Sequence, residues 1–512
     1  MPATHRTPSA TRQRGFGALL MLAFMLILGA VSLGLMIYNP RGGSSAPVDD
    51  RKSAEALSAA KNALIGYAVR RGGATGLARP LELPCPDTNN DGWEEANCNA
   101  GTLGRIPWRT LGIPAPTDSA GEILWYAVSG PLRTQPSNAA DVNSNTRGDL
   151  VVRAADGATV LSGEAAAVVF APGQPLGNQN RDPAQAAVCA TTGANVARNL
   201  CAANYIETSN GTSNATTNGP FVAGVPSNTY NDRVLYFTVN EYLPAVEMRV
   251  GSELRNLLLA YRQNSVCQCF PWADSWAYSG GIADNGVNRG RLPSRPYPEN
   301  WGEGAIPLLP EWVAANDWHN LIYYSAGRVE TDGAGAACLY CSPSALLSVN
   351  GAPVSALLFT PGPPPAGVDR ATVGNRDNLA LYLDDLQNND KGTCPGWDTE
   401  NANGLGVPPL LGVPASCDTY FTPTSTAVTR DRLFMVTLPS CALSATTLVQ
   451  EALINPCSPG GGAVRAACQT AADALATCTC APAAQTLITP PCYNTLNPGQ
   501  CQSAVTQLIG CF

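Results

Sequence analysis

The amino-acid sequence predicts an α+β protein with three parts: an N-terminal transmembrane helix, two copies of a unit that packs one helix on an antiparallel sheet, and a disulfide-rich helical tail. Three observations support this fold class. A long apolar segment lies near the N-terminus, four segments of the first half recur in the same order in the second half, and cysteines are concentrated in the tail. The 49 glycines and 42 prolines among 512 residues predict short elements joined by long loops.

The apolar segment runs from Phe16 to Tyr38 without a charged residue. A helix of this length, rising about 1.5 Å per residue, can cross a hydrocarbon core of about 30 Å. Arg12 and Arg14 precede it, so we expect a cytoplasmic N-terminus, a single pass through the inner membrane and a periplasmic body. Residues 39–49 contain prolines and glycines that should end the helix, and they predict a flexible joint.

The body is predicted to be a duplication. Its repeated segments are KNALIGYA with RNLLLAYR, TDSAGEILWYAVSG with NDWHNLIYYSAGR, AAAVVFAPGQP with SALLFTPGPPP, and NDRVLYFTV with TRDRLFMVTL. Each copy begins with apolar residues at helical spacing and continues with short runs rich in Val, Ile, Tyr and Phe. One helix followed by several strands indicates a helix packed on an antiparallel sheet. We therefore predict two units, residues 50–249 and residues 250–440.

The chain contains 18 cysteines, an even number that indicates disulfides and an oxidising compartment. Many of them lie in residues 441–512, a segment too small for a core of its own, which predicts a disulfide-stapled helical tail. In the body, Cys85 with Cys98 would close a short loop. Two further pairs, each after an F-x-P-G element, are predicted as Cys189 with Cys201 and Cys394 with Cys417.

Composition excludes several functions. The net charge of −8 and the absence of a basic stripe argue against a nucleic-acid partner. His5 and His319 are the only histidines, so a His-rich metal site is excluded. The sequence contains no nucleophile elbow, P-loop, dinucleotide-binding fingerprint or H-E-x-x-H motif. We therefore do not expect an enzyme.

A calcium-loop opening, D-x-N-x-D-G, is present in DTNNDGWEE. Oxygen ligands at alternate positions can converge on a hard cation when the chain coils around it. The candidate ligands are Asp87, Asn89, Asp91, the backbone carbonyl of Trp93, and Glu95. A full EF-hand loop would need a glutamate where this sequence has Cys98. The alternative is a polar turn closed by a Cys85–Cys98 disulfide.

The sequence RQRGF, followed by the apolar helix, resembles the prepilin signature of type IV pilins and type II secretion pseudopilins. The resemblance implies that a prepilin peptidase removes leader residues 1–15, cutting between Gly15 and Phe16 and methylating Phe16. It also implies other pilin subunits as partners. The run LPCPDTNNDG, GRIPWRTLGI and TDSAGEILWYAV is similar to one found in large proteobacterial minor pilins, which extends the resemblance to about Val250.

One position departs from the pilin pattern. Most pilins carry a glutamate at the fifth mature position, where this chain has Leu20. An unpaired carboxylate in an apolar filament core is costly, and the tip subunit has no neighbour above it to pair with. Leu20 therefore favours a minor, tip-located subunit of a pilus or secretion filament, one that primes assembly or binds a surface receptor. The alternatives are a membrane-anchored surface protein without a filament role and an exported hydrolase.

Overall fold

The structure, a computed structural model, describes residues 46–71, 79–98, 103–134, 141–189, 192–216, 218–265, 270–274, 276, 289–296, 300–326, 347–372, 374–384, 388, 419–423, 430–437, 448, 472 and 475. The helices of this part are α1 (Ala46–Arg70), α2 (Trp108–Leu111), α3 (Leu243–Asn264), α4 (Glu311–Ala315) and α5 (Trp318–Leu321). Its 3-10 helices are Gly130–Leu132, Arg198–Leu200, Ala202–Asn204, Val239–Glu241 and Leu379–Leu381.

The strands fall in two groups that follow the two halves of the chain. Those of the first half are β1 (Leu103–Arg105), β2 (Trp125–Val128), β3 (Leu150–Arg153), β4 (Val160–Ala171), β5 (Ala186–Val188), β6 (Asn195–Ala197), β7 (Thr208–Ser209), β8 (Thr212–Ser213), β9 (Phe221–Val222) and β10 (Arg233–Thr238). Those of the second half are β11 (Arg289–Arg291), β12 (Tyr323–Ala326), β13 (Leu347–Val349), β14 (Ala352–Val354), β15 (Ala356–Thr360), β16 (Thr419–Tyr420) and β17 (Arg432–Val436).

The first sheet has four main antiparallel strands in the order β1-β2-β4-β10. The register places Phe170 of β4 opposite both Trp125 of β2 and Val234 of β10. Strand β3 pairs antiparallel with the first part of β4, and the short β9 lies parallel to β3. Two small hairpins, β5-β6 and β7-β8, form between β4 and β9.

The second sheet repeats this scheme. Its four main strands are antiparallel in the order β11-β12-β15-β17. Strand β13 pairs antiparallel with β14 and parallel with β16, as β3 does with β4 and β9. Helix α3 runs through the predicted boundary between residues 249 and 250, so the second helix begins in what was predicted to be the first unit. The limits of the two units otherwise stay a prediction.

One hydrophobic core joins α1, α3 and one face of each sheet. Each helix buries a stripe of side chains spaced three or four residues apart, as an amphipathic helix does. The stripe of α1 is Leu57, Ala60, Leu64 and Ala68, and that of α3 is Val246, Val250, Leu254 and Leu258. Tyr126 of β2 and Tyr324 of β12 contribute to the same core.

The opposite face of each sheet is buried as well. Trp125 and Phe170 of the first sheet pack with Tyr205 and Phe221, which come from the long segment between β4 and β10. In the second sheet, residues of β12 and β15 pack with Tyr382, from the corresponding segment between β15 and β17. Because neighbouring residues on a strand point to opposite faces, both sets of side chains are buried in β2, β12, β15 and residues 165–171 of β4. The first part of β4 is largely exposed.

The predicted fold class is wrong in its helical parts. Among the described residues no helix is long and apolar enough to cross a membrane. The described chain is rich in sheet, and its two long helices are amphipathic core helices whose charged residues lie mostly on the outer face, apart from Glu247 and Arg262 of α3, which are buried. The predicted leader 1–15 and apolar segment 16–38 lie outside the described residues, as do most of the joint and of the tail 441–512.

Candidate functional site

A cavity of about 320 Å³ opens where the two halves of the body meet. One wall is the segment 141–147, between β2 and β3 of the first half. The other walls come from the second half: α5 and the residue before it, the last residue of β11, and the segment after β15. The charged and amide residues that line it are Asp141, Asn143, Asn145, Arg147, Arg291, Asp317, Asn320, Asp369, Arg370 and Arg376.

Hydrogen bonds to the second half hold the segment 141–147 in place. The backbone N–H of Val142 donates to Asn316 Oδ1 at 3.2 Å, and Asn143 Nδ2 donates to the Asn316 carbonyl at 2.8 Å. Asn316 is itself buried, and its Nδ2 donates to the carbonyl of Trp312 at the start of α4. The wall that the first half contributes to the cavity is therefore fixed by the second half.

A buried carboxylate reinforces this junction. Glu247 of α3 is 1% exposed, and its Oε1 accepts a hydrogen bond from Ser144 Oγ at 2.7 Å and from the Gly362 N–H at 2.9 Å. Its Oε2 lies 3.8 Å from Arg432 Nε. Burial raises the pKa of Glu247 to about 7, although the hydrogen bond from Ser144 and the charge of Arg432 oppose the rise.

Two buried arginines support the second-half side of the cavity. The guanidinium of Arg291 donates to the carbonyls of Trp276, Asn320 and Arg376 and lies 4.3 Å from the Trp276 ring centroid. The guanidinium of Arg370 donates to the carbonyls of Leu381, Gly362 and Pro361. Burial lowers the pKa of both, that of Arg370 to about 10. These side chains fix loops and also place positive charge beside the cavity.

The first half contains the same arrangement. Arg105 and Arg181 lie 4.1 Å and 4.3 Å from the ring centroid of Tyr205, as Arg370 lies 4.8 Å from that of Tyr382. A carboxylate lies two residues after each tyrosine, and it accepts a hydrogen bond from a backbone N–H just before the last main strand of its sheet. Glu207 Oε2 accepts from the N–H of Asn231, and Asp384 Oδ2 accepts from the N–H of Arg430.

This repeated arginine–tyrosine–carboxylate cluster was missed by the sequence analysis. A sequence signal did exist, since GRIP at the end of β1 matches GRLP at the end of β11. An arginine also follows the F-x-P-G element in both halves. The cluster explains why these residue types recur, because each arginine holds a loop against the outer face of its sheet.

Asp141 and Asp317 are two of the three aspartates in the lining of the cavity. Burial and the nearby charge of Asp317 raise the pKa of Asp141. Asp317 has a φ of +60°, which is unusual for a residue other than glycine, and its Oδ1 accepts a hydrogen bond from Asn320 Nδ2 at 2.5 Å. His319 lies close by, and burial lowers its pKa despite the charge of Asp317.

The candidate calcium residues form a tight loop closed by backbone hydrogen bonds. Asp87 is buried, and its Oδ1 accepts the N–H groups of Asn89, Asn90 and Asp91 while Oδ2 accepts that of Gly92 at 2.7 Å. Asn89 Oδ1 accepts from Asp91 N–H at 2.9 Å. The D-x-N-x-D-G pattern therefore has a structural reason that does not involve a cation.

The remaining calcium candidates have similar partners. Asp91 Oδ1 accepts from the N–H of Trp93, whose side chain is 54% exposed, and Glu95 Oε1 accepts from Thr88 Oγ1 at 2.6 Å. The described residues contain no group of three or more His, Cys, Asp or Glu side chains arranged to hold a metal ion. Calcium binding stays a prediction.

Two disulfides lie within the described residues. Cys85 and Cys98 join with a Cα–Cα distance of 5.7 Å and close the loop that contains Asp87. Cys189 and Cys201 join at 5.5 Å in the segment that covers the first sheet. The other proposed pair, Cys394 with Cys417, lies outside the described residues, and so do the processing residues Gly15 and Phe16 and the filament-core position Leu20.

The chain matches no family model, no curated protein and no solved structure. The pilin function that the resemblance suggested therefore has no support from relatives. The expectation of a transmembrane helix is corrected as well, because no membrane-spanning helix is found in the described part of the chain.

Proposed function

We propose that this chain is a minor pilin-like subunit at the tip of a filament, and that its duplicated body primes assembly or binds a surface. The observation that carries the proposal is the packing of α1. This helix buries its apolar stripe in the core that includes the first antiparallel sheet, and it is the first described element of the chain. A leading helix on an antiparallel sheet is the arrangement that the resemblance implies for a globular pilin domain.

Two features of the sequence support the same proposal. RQRGF places a glycine before Phe16, as a prepilin peptidase requires, and Leu20 replaces the glutamate that a shaft subunit would use to contact its neighbour. The duplicated body also favours the tip, because a body built from two sheets is bulky for a subunit that must stack along a shaft.

N-terminal mass spectrometry of the protein from its native host tests the proposal. We expect a mature chain that begins with N-methyl-Phe16, and an unprocessed chain in a strain that lacks the prepilin peptidase. A chain that still begins at Met1 in a strain with active peptidase would refute it.

Immunogold labelling tests the tip position separately. Label confined to filament ends supports it, whereas label along the whole shaft contradicts it. Leu20→Glu provides an independent check, because a subunit with no neighbour above it should assemble no better with the added carboxylate.

A further inference from the structure

We propose that the cavity between segment 141–147 and the second half binds a small zwitterion, a molecule with one ammonium and one carboxylate group, such as a free α-amino acid. The proposal goes beyond filament assembly and does not depend on it. It rests on the volume of the cavity, on the presence of both carboxylate and guanidinium groups in its lining, and on polar atoms in that lining that have no partner within the described chain.

The carboxylates of Asp141 and Asp317 suit an ammonium group. Asp141 is an exposed residue whose carboxylate makes no hydrogen bond or ion pair with the described residues, and Asp317 uses Oδ1 alone, for Asn320. The two carboxylates are close enough to affect each other's charge. A ligand ammonium between them would relieve that repulsion and could donate to both.

The guanidinium of Arg147 suits a carboxylate. Arg147 Nη2 donates to the Pro364 carbonyl at 3.2 Å and Nε lies 4.0 Å from the carboxylate of Glu164, but Nη1 is buried with no partner within the described chain. Asn145 Oδ1, in the same segment, is also buried without a partner among the described residues, but it is an acceptor and so suits the ligand's ammonium group rather than its carboxylate. Arg370 is 1% exposed, and its hydrogen-bond acceptors are carbonyls, so its charge is not neutralised by a described carboxylate within ion-pair distance.

Other ligand classes fit these observations less well. An inorganic anion would meet Asp141 and Asp317, and a divalent cation would meet Arg147 and Arg370. A saccharide usually stacks on an open aromatic face, but the ring of Tyr382 is covered by Arg370. At about 320 Å³ the cavity is at the lower end of the range for ligand pockets, which favours a molecule of amino-acid size.

The experiment is isothermal titration calorimetry on the full chain. The probes are the common α-amino acids, each tested separately at millimolar concentration, with methylammonium, acetate, glucose and calcium chloride as single-feature probes. We expect saturable binding of at least one amino acid and no comparable binding of methylammonium or acetate, because each of these probes carries only one of the two charges that the lining can bind.

Variants locate the binding site. Asp141→Asn and Arg147→Gln should each weaken amino-acid binding about tenfold, the effect of losing one charge-assisted hydrogen bond. The matched controls Asp156→Asn, on an exposed turn, and Arg255→Gln, on α3, should bind as the unaltered chain does. Thermal melts of every variant establish that it is folded.

Three results would overturn the proposal. They are the absence of binding by every amino acid, equal binding of acetate or methylammonium, and unchanged affinity in both cavity variants. None of them bears on filament assembly, which the N-terminal mass spectrum tests independently.

Discussion

At the scale of single residues, the most informative position is Glu247. A carboxylate that is 1% exposed costs free energy when charged, yet this one accepts hydrogen bonds from Ser144 of the first half and Gly362 of the second. Arg432 lies 3.8 Å away. Glu247 thus links the two halves at an electrostatic cost that depends on pH.

The sign of that dependence follows from the direction of the pKa shift. Burial raises the pKa of Glu247 to about 7, above the ordinary value of 4.5 that applies in the unfolded chain. The folded protein therefore binds a proton more tightly between these two pH values. The stability that this group contributes is fully present below pH 4.5 and is lost as the pH rises toward 7.

We predict that Glu247→Gln removes this pH-dependent loss of stability, because glutamine keeps an acceptor for Ser144 and Gly362 but does not titrate. The free energy of unfolding of the unaltered chain, relative to the variant, should fall by about 3 kcal/mol between pH 4.5 and 7. Urea unfolding at a series of pH values measures it, with the exposed Glu303→Gln as control. Parallel curves for the unaltered chain and the Glu247→Gln variant would contradict the prediction.

At the scale of elements, α3 is fixed against β17 by a glycine. An ideal Cβ placed on Gly251 would lie 2.2 Å from Cε2 of Phe434, whose ring is buried on β17. The helix can approach the sheet this closely only because position 251 has no side chain. In α1, by contrast, a Cβ on Gly66 would lie 3.4 Å from its nearest neighbour, a terminal guanidinium atom of Arg70.

These two helical glycines form a matched pair for substitution. Gly251→Ala should destabilise the fold by about 1–3 kcal/mol through overpacking, which outweighs the gain in helix propensity. Gly66→Ala should instead stabilise by about 0.5–1 kcal/mol, since it gains propensity without a clash. Urea denaturation of both variants provides the measurement. The same sign of change at both positions would show that the α3–β17 approach does not control the packing.

The loop between Cys85 and Cys98 offers a second element-scale prediction. Asp87→Ala removes the acceptor of four backbone N–H groups in a buried site and should cost about 2 kcal/mol or more. Thermal unfolding measures the loss, and Asp156→Ala, on an exposed turn, is the comparison. An unchanged melting temperature in Asp87→Ala would mean that these hydrogen bonds add no stability.

Calcium binding by the same loop is a separate prediction, which is tested on the unaltered chain and on one further variant. If it binds the ion, calcium chloride should raise the melting temperature of the unaltered chain and produce a heat of binding, and Asp91→Asn should reduce both. Magnesium chloride at equal concentration is the control for ionic strength. No calcium-dependent heat or shift would rule the prediction out.

At the scale of the whole molecule, the two halves share the core formed by α1, α3 and the inner face of each sheet, while each half also has its own cluster on the outer face of its sheet. Residues of α1 and β2 belong to the same buried cluster as residues of α3 and β12. Asn316 and Glu247 add hydrogen bonds across the junction. A duplication alone would allow two independent domains, but the shared core indicates that the halves fold together.

We therefore predict one cooperative unfolding transition for the body. Differential scanning calorimetry should give equal calorimetric and van't Hoff enthalpies for its main peak. Asn316→Ala should lower the temperature of that single peak, because it removes the acceptor for Val142. Two separate peaks, or a second peak that appears only in the variant, would indicate independent halves.

The parts of this fold that the sequence predicts are those that depend on local periodicity. The apolar stripe of α1 is visible as Leu57, Ala60 and Leu64, and the short runs that become β2, β4 and β10 are rich in strand-forming residues. The loop from Cys85 to Cys98 is also readable, because both cysteines and the intervening Asx-rich turn are close in the chain.

The cavity could not be predicted in this way. Its members come from segments far apart in the chain: Asp141 follows β2, Asp317 precedes α5, and Arg370 lies beyond β15. The repeats at GRLP and F-x-P-G mark Arg291 and Arg370, but they do not show that these arginines meet the two aspartates in one cavity. The arginines bind backbone carbonyls, which every residue has, so no partner residue type marks them in the sequence. The predicted membrane-spanning helix depended on apolar length alone, whereas the long helices of the described chain are amphipathic.

The segments that cover the outer face of each sheet have a consequence for how this protein can change over evolutionary time. Residues 165–171 of β4 and all of β15 are buried on both faces, so most substitutions there would create a cavity or a clash. On the side away from Tyr205 or Tyr382, the described parts of the covering segments are less constrained, except where they line the cavity. Sequence drift, insertions and new surface chemistry should therefore collect on their outward sides, which would let descendants of one scaffold present different surfaces to their surroundings.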